Sequence, residues 1–155
     1  MSISKTQTVE DLAHINALLE SFKLLYNTLN ANTYDDGLID KVYADDIEFI
    51  DCFHHINGIQ NFKKYCASIY ENVKHCQFEF HDEYIKSNSA MLTWTMEYTH
   101  PKLNNGKMIY VKGSSEILFN KKVYKHKDYV DSGELLYEHI PLLKTVISFL
   151  KKRMM

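Results

Sequence analysis

The sequence predicts an α+β domain: a cone-shaped, curved antiparallel sheet packed on three N-terminal helices, with an extra helix at the C-terminus. Before Lys74 the apolar residues recur at three- and four-residue steps, and from Lys74 the period falls to two. Helices followed by a meander of long strands is the α+β pattern. Aromatics are plentiful, with eleven Tyr and eight Phe, which suits a sheet wrapped round an apolar cavity.

In chain order, Thr8 N-caps a first helix, with Asp11 three residues on. Leu12, Ile15, Leu18, Leu19, Phe22, Leu25, Tyr26 and Leu29 make its apolar face, and it fails near Asn30-Ala31-Asn32. A second helix runs from about Asp35 to Tyr43, burying Leu38, Ile39 and Val42. Ile47–Asp51 and Phe53–Ile56 read as two short extended pieces, a hairpin or a bent strand. Gly58 ends them and starts a third helix, Ile59–Glu71, with Phe62, Tyr65, Cys66 and Ile69 inward. The long strands follow. Cys76, Phe78, Phe80, Asp82 and Tyr84 alternate with polar residues, and after the turn at Ser87-Asn88-Ser89 so do Leu92, Trp94, Met96 and Tyr98. Met108–Phe119 and Val123–Val130 are the last two strands, joined at Asn120-Lys121-Lys122. Gly113 inside a strand suggests a bulge or bend.

We place the main domain at residues 1–133 and a helical extension at 134–155. In the extension, Pro141 opens a segment whose Leu142, Leu143, Val146, Ile147, Phe149 and Leu150 leave a narrow polar side ahead of Lys151-Lys152-Arg153. Such a helix closes the mouth of the cone, packs in a dimer, or lies on a membrane with its basic end at anionic head groups.

At 155 residues the chain is long enough to bury a real core. A net charge of −2 argues against a general nucleic-acid binder. The N-terminus lacks a positive-then-apolar export pattern, and Cys52, Cys66 and Cys76 show no CxxC spacing, so a reducing cytoplasm is expected. No metal is expected: His54 and His55 point to opposite faces of a strand, and no HxxxH or HxH spacing occurs on a helix. No glycine-rich phosphate loop or other cofactor motif occurs, and no cofactor is expected.

Two groups of residues carry candidate chemistry. Asp51 lies in line with Ile47 and Phe49. In a pocket lined by Phe49, Trp94 and Met96, desolvation would raise its pKa and make it a general base near neutral pH. The alternative is a turn Asp that bonds local backbone amides. His126 and Asp128, two apart on a strand, share a face with Tyr124 and Val130. Facing inward, they form an acid–base pair across from Asp51, the carboxylate holding the imidazole in one tautomer. Facing outward, they join the solvated lysines of that strand.

The run Tyr43-Ala44-Asp45-Asp46, then Asp51, Gly58 and Phe62, resembles ketosteroid isomerase, and the element order resembles the nuclear transport factor 2-like superfamily as a whole. The resemblance implies Asp51 as the base that moves a proton between substrate carbons, and Tyr26 as an oxyanion donor. Ser115 falls where the isomerase has a second, carboxylic donor, a departure from its pattern. The stretch His126-Lys127-Asp128-Tyr129-Val130-Asp131 is closer to the SnoaL-like branch, which has a His or Asp on its last strand.

The expected function is a cofactor-free isomerase, cyclase or hydratase acting on a small hydrophobic molecule. Asp51, His126, Asp128 and Tyr26 would be its catalytic residues, and Phe49, Trp94, Met96, Ser115 and Tyr124 its ligand-binding residues. The alternatives are a non-catalytic binding or association module, and a peripheral scaffold attached through the C-terminal helix. The fold also implies a homodimer, with Thr93, Thr95 and Glu97 on its contact face.

Overall fold

The computed structural model describes residues 9–30, 32–33 and 37–154. Thr8, the expected first N-cap, and Asp35, the expected start of the second helix, lie outside the described residues. The first helix, α1 (Val9–Thr28), buries Ile15, Leu18, Leu19, Phe22 and Leu25. Each such side chain contributes on the order of 1.5–3 kcal/mol by leaving water, far more than the few tenths that separate their helix propensities. Leu12 is exposed, so the packed face begins at Ile15. Past the end of α1, the Thr33 hydroxyl donates to the Thr28 carbonyl at 2.5 Å.

The second helix is shorter than expected. It is a single turn, α2 (Leu38–Val42), and Tyr43 has already taken extended backbone. The strand β1 therefore spans Tyr43–Ile50, so Tyr43 and the polar residues after it are strand, not helix end and turn. The strand β2 (His55–Asn57) pairs back on β1 antiparallel. Gly58 caps the next helix with φ of 82°, a conformation that favours glycine, and its N–H donates to the Ile47 carbonyl. That helix, α3 (Ile59–Asn72), buries Ile59, Phe62, Cys66 and Tyr70.

Four long strands complete the sheet: β3 (His75–Lys86), β4 (Ser89–Thr99), β5 (Ile109–Phe119) and β6 (Val123–Val130). The order across the six-stranded curved sheet is β2-β1-β6-β5-β4-β3. Every pairing is antiparallel except β1 with β6, which is parallel. This closes the meander back onto the N-terminal half of the chain. The α+β cone architecture stands, with a mixed rather than wholly antiparallel sheet.

The expected alternation holds best in β4, where Leu92, Trp94 and Tyr98 are buried and the pairing with β5 is unbroken. In β3 it holds for Cys76, Phe78 and Phe80. It stops where the register slips between Phe80 and Glu83, and Tyr84 is exposed. Gly113 makes no bulge, since the ladder runs through it opposite Trp94. Its role is space: a Cβ there would sit 2.3 Å from the Trp94 indole. On the outer face Thr93, Thr95 and Glu97 bond to the Asp82 amide, His81 and His75 of β3.

After β6 come a short helix, α4 (Ser132–Leu135), one 3-10 turn (Tyr137–His139) and α5 (Pro141–Arg153). The Asp131 side chain caps α4 through the Gly133 amide at 2.6 Å. Leu142, Val146, Phe149 and Leu150 of α5 are exposed, Leu142 at 76%. An ion pair between Lys151 and Glu138 ties α5 to the turn before it. Among the described residues, no helix is long and apolar enough to cross a membrane.

Candidate functional site

Two facing irregularities in β1 and β6 build the centre of the site. Leu118 pairs with Lys125 and Phe119 with Val123, so Tyr124 is an extra residue in β6, a bulge. On the other side, Tyr43 pairs with Val123 and Glu48 with Lys125, so β1 bows out over Ala44–Ile47 opposite Tyr124. The bulge shifts the alternation of β6, and Val123 and His126 both end fully buried. Tyr124 therefore does not share the inward face of His126. It lines a shallow polar groove with Ala44, Asp45, Asp46, Asn120, Lys121 and Lys122.

His126 is 0% exposed and is held at both ring nitrogens. Nε2 lies 2.8 Å from Asp128 Oδ1, and Nδ1 lies 2.7 Å from the Tyr43 hydroxyl and 3.2 Å from that of Tyr26. A carboxylate only accepts, so the arrangement that satisfies every group puts the proton on Nε2. Nδ1 then accepts from Tyr43, whose oxygen in turn accepts from Tyr26 at 2.8 Å. From the other side the Trp94 indole donates to Ser115 Oγ at 2.9 Å, and the Ser115 hydroxyl donates to the same Asp128 Oδ1 at 2.6 Å. One carboxylate oxygen is thus fixed by two donors. No donor among the described residues reaches the other, Oδ2. Burial pushes the Tyr26 and Tyr43 phenols well above their usual range, so both serve as neutral hydrogen-bonding groups.

Asp51, just past the end of β1, is differently placed. Its Oδ1 accepts from the Phe53 and His54 amides at 2.7 and 2.6 Å, while Oδ2 accepts from the Tyr65 hydroxyl at 2.5 Å. The His54 ring approaches both oxygens. Burial alone would raise this carboxyl, as the sequence suggested. The Tyr65 hydroxyl, the Phe53 amide and the ring and amide of His54 outweigh burial and hold Asp51 below its ordinary value. The expected raised pKa is therefore corrected: Asp51 is a saturated turn carboxylate that stays ionised.

Both carboxylates border one cavity of about 250 Å³ between the sheet, α1, α3 and α4. Its wall is ringed by Phe49, Phe62, Tyr70, Phe78, Trp94 and Tyr98, with Leu29, Ile69, Val73, Met96, Val130, Leu135 and Leu136 between them. Of the residues singled out in the sequence, Asp51, Asp128, Tyr26, Phe49, Trp94 and Met96 line it. His126 and Ser115 are not on the wall; they stand behind Asp128 and hold it.

Two contributors escaped the sequence reading. From the sequence Tyr43 reads as a helix end, although a Tyr opening a strand beside a buried His is the kind of group that satisfies it. Tyr65 reads only as apolar filling on α3, yet its hydroxyl reaches Asp51 across the fold. Among the described residues no three or more His, Cys, Asp and Glu side chains gather to hold a metal ion.

A family model for the SnoaL-like domain matches residues 23–120. No curated protein matches the chain in sequence. Solved structures share its fold at low identity. TsrD from Streptomyces laurentii is 16% identical, with a TM-score of 0.65 over 79% of this chain and 92% of its own. An LEH-like epoxide hydrolase from M. tuberculosis is 12% identical, with a TM-score of 0.65 over 86% and 96%. A protein of ketosteroid isomerase-like fold from Catenulispora acidiphila DSM 44928, solved in complex with trimethylamine, is 10% identical, with a TM-score of 0.66 over 79% and 91%. At these identities the likeness establishes the fold alone.

Proposed function

Because the chain belongs to the SnoaL-like domain family, we propose that it is an acid–base enzyme acting on a small hydrophobic molecule in the cavity, with Asp128 as the proton-transfer group. The observation that carries this is the asymmetry of one carboxylate. Asp128 lines the cavity, its Oδ1 is pinned by His126 and Ser115, and no described residue donates to its Oδ2. An oxygen fixed in place and open to a ligand is what proton abstraction needs. Asp51, expected from the isomerase likeness to be the base, has both oxygens occupied and is the poorer candidate.

The reaction class is a proton removed from carbon or water by Asp128 and returned at another position, which covers isomerisation, cyclisation and water addition. His126 is a positioning residue in this scheme. Its Nε2–H fixes Asp128, and Tyr43 and Tyr26 fix the ring. Small-molecule binding has support in the trimethylamine complex of a structural neighbour.

The test is hydrogen exchange in D2O with a panel of small hydrophobic ketones, neutral and amine-bearing, read by mass spectrometry. Wild-type protein is expected to exchange α-hydrogens faster than buffer, and Asp128→Asn to fall to the buffer rate. Exchange by the wild type no faster than buffer, or full activity in Asp128→Asn, overturns the assignment. A second reading, a binding module without chemistry, is favoured by the saturation of Asp51; binding of a panel member without exchange would select it.

A further inference from the structure

The cavity wall has little left to donate. Tyr65 gives its hydroxyl proton to Asp51, Trp94 its indole N–H to Ser115, and Tyr98 its hydroxyl proton to the Leu135 carbonyl. Tyr26 is engaged with Tyr43 and His126, and Tyr70 with Cys76. Among the described residues no Lys, Arg or His side chain lines the cavity, while two carboxylates do. The basic groups that touch them, His54 on Asp51 and His126 on Asp128, stand outside the lining. What the wall offers a ligand is negative charge, one open acceptor and aromatic rings.

Those features discriminate between ligand classes. An anion would meet two carboxylates with no donor to offset them. A neutral compound would gain nothing from the charge of either carboxylate. A cation meets complementary charge, and aromatic faces attract it further through their quadrupoles, most effectively where water is excluded. A cavity of about 250 Å³ admits only a ligand of fragment size.

We propose that the cavity is a binding site for a small hydrophobic cation, a protonated tertiary or a quaternary amine, seated among the aromatic rings with its charge toward Asp51 and Asp128. This rests on the reading of the cavity as a ligand site, and not on proton transfer at Asp128. Asp51 supplies a charge that does not titrate near neutral pH, because its donors hold it ionised. Asp128 supplies the acceptor. The two carboxylates thereby divide attraction and proton handling between them.

Trp94, the one tryptophan of the chain, sits on the wall and reports occupancy by its fluorescence. The full chain is titrated with benzyltrimethylammonium, with its neutral isostere neopentylbenzene, and with 3-phenylpropionate. The cation is expected to bind at least about tenfold more tightly than the isostere, and the anion not to bind. Asp128→Asn is expected to reduce the cation's advantage while leaving the isostere's affinity in place. Should that variant fail to fold, the ranking of the three probes on wild-type protein decides alone. Equal or tighter binding of the isostere, or binding of the anion, overturns the cation preference and leaves the cavity a ligand site. If no probe alters Trp94 emission, the cation proposal falls; exchange of ketone hydrogens in D2O then separately decides the fate of the enzyme reading.

Discussion

Replacing Gly113 with alanine sets a methyl group against the indole of Trp94. The new Cβ would lie 2.3, 2.6 and 2.7 Å from Cη2, Cζ2 and Cζ3 of that ring, where carbon atoms rest at about 3.5–4.0 Å. An overlap of more than an ångström cannot be absorbed in place, and a ring on a buried strand has few ways to move. Overpacking of this kind costs about 1–3 kcal/mol. The indole also gives up its hydrogen bond to Ser115 when displaced, which adds about 0.5–1.5 kcal/mol. The sum is a loss of roughly 2–4 kcal/mol, which lowers the urea midpoint by about 1–2 M at an m-value near 2 kcal/mol/M. Urea unfolding followed through Trp94 reads stability and ring environment together. The open side of the indole is the cavity, so displacement also fills the space a ligand needs, and affinity for benzyltrimethylammonium should fall in parallel. A midpoint within ~0.3 M of wild type, with unchanged native emission, would show that the ring does not rest on Gly113.

The other expectations follow from single contacts. Tyr43→Phe leaves Nδ1 of a fully buried His126 with only the longer Tyr26 contact, and should cost about 1–3 kcal/mol in urea unfolding; a neutral result would detach Tyr43 from the network. Because folding holds the Asp51 carboxyl below the ordinary carboxylate range, its contribution is fully present above about pH 4 and lost as pH falls through the folded value. Asp51→Asn should therefore flatten the acid limb of the stability curve, and an unchanged limb would refute the assignment. Burial pushes the Cys66 and Cys76 thiols up to about 12 and about 11. A disulfide reagent at pH 8 should thus titrate exposed Cys52 first and the other two only on unfolding, and three equal fast rates would contradict this. Deleting residues 141–155 should leave the unfolding midpoint nearly unchanged, since α5 packs little of its apolar surface. If that surface serves a second copy, the deletion converts a dimer to a monomer by light scattering; a monomeric full chain that sediments with anionic vesicles assigns α5 to membranes instead.

How far the sequence could be read depended on whether the ladder was regular. In β4 the pairing with β5 never slips, and alternation placed Leu92, Trp94, Met96 and Tyr98 correctly. In β6 and β1 the pairing slips, and alternation carried Tyr124 to the wrong side while passing over Tyr43 altogether. Nothing local distinguishes a bulged Tyr124 from a regular one, because the bulge is a property of the pairing with β5 and β1. The charge state of Asp51 was misread for a related reason. Desolvation can be anticipated from apolar neighbours in sequence, but the compensating hydroxyl of Tyr65 comes from a helix whose approach depends on the whole fold. Ser115 and His126 are legible in the sequence as residues, and only the fold shows that both bond to the same oxygen of Asp128.

The bulge at Tyr124 also makes the chemistry of the cavity a matter of counting. Because Tyr124 is spare, Lys125 pairs with Leu118, His126 with Ile117 and Asp128 with Ser115. Deleting it would leave those pairs, and the inward His126 and Asp128, where they are. Forcing it into the ladder opposite Leu118 would instead move every later residue of β6 by one place and turn Lys125–Val130 over. Lys125 would then stand opposite Ile117 and Lys127 opposite Ser115, and the cavity would meet lysines where it now meets Asp128. One unpaired residue thus sets the sign of the charge on the cavity wall.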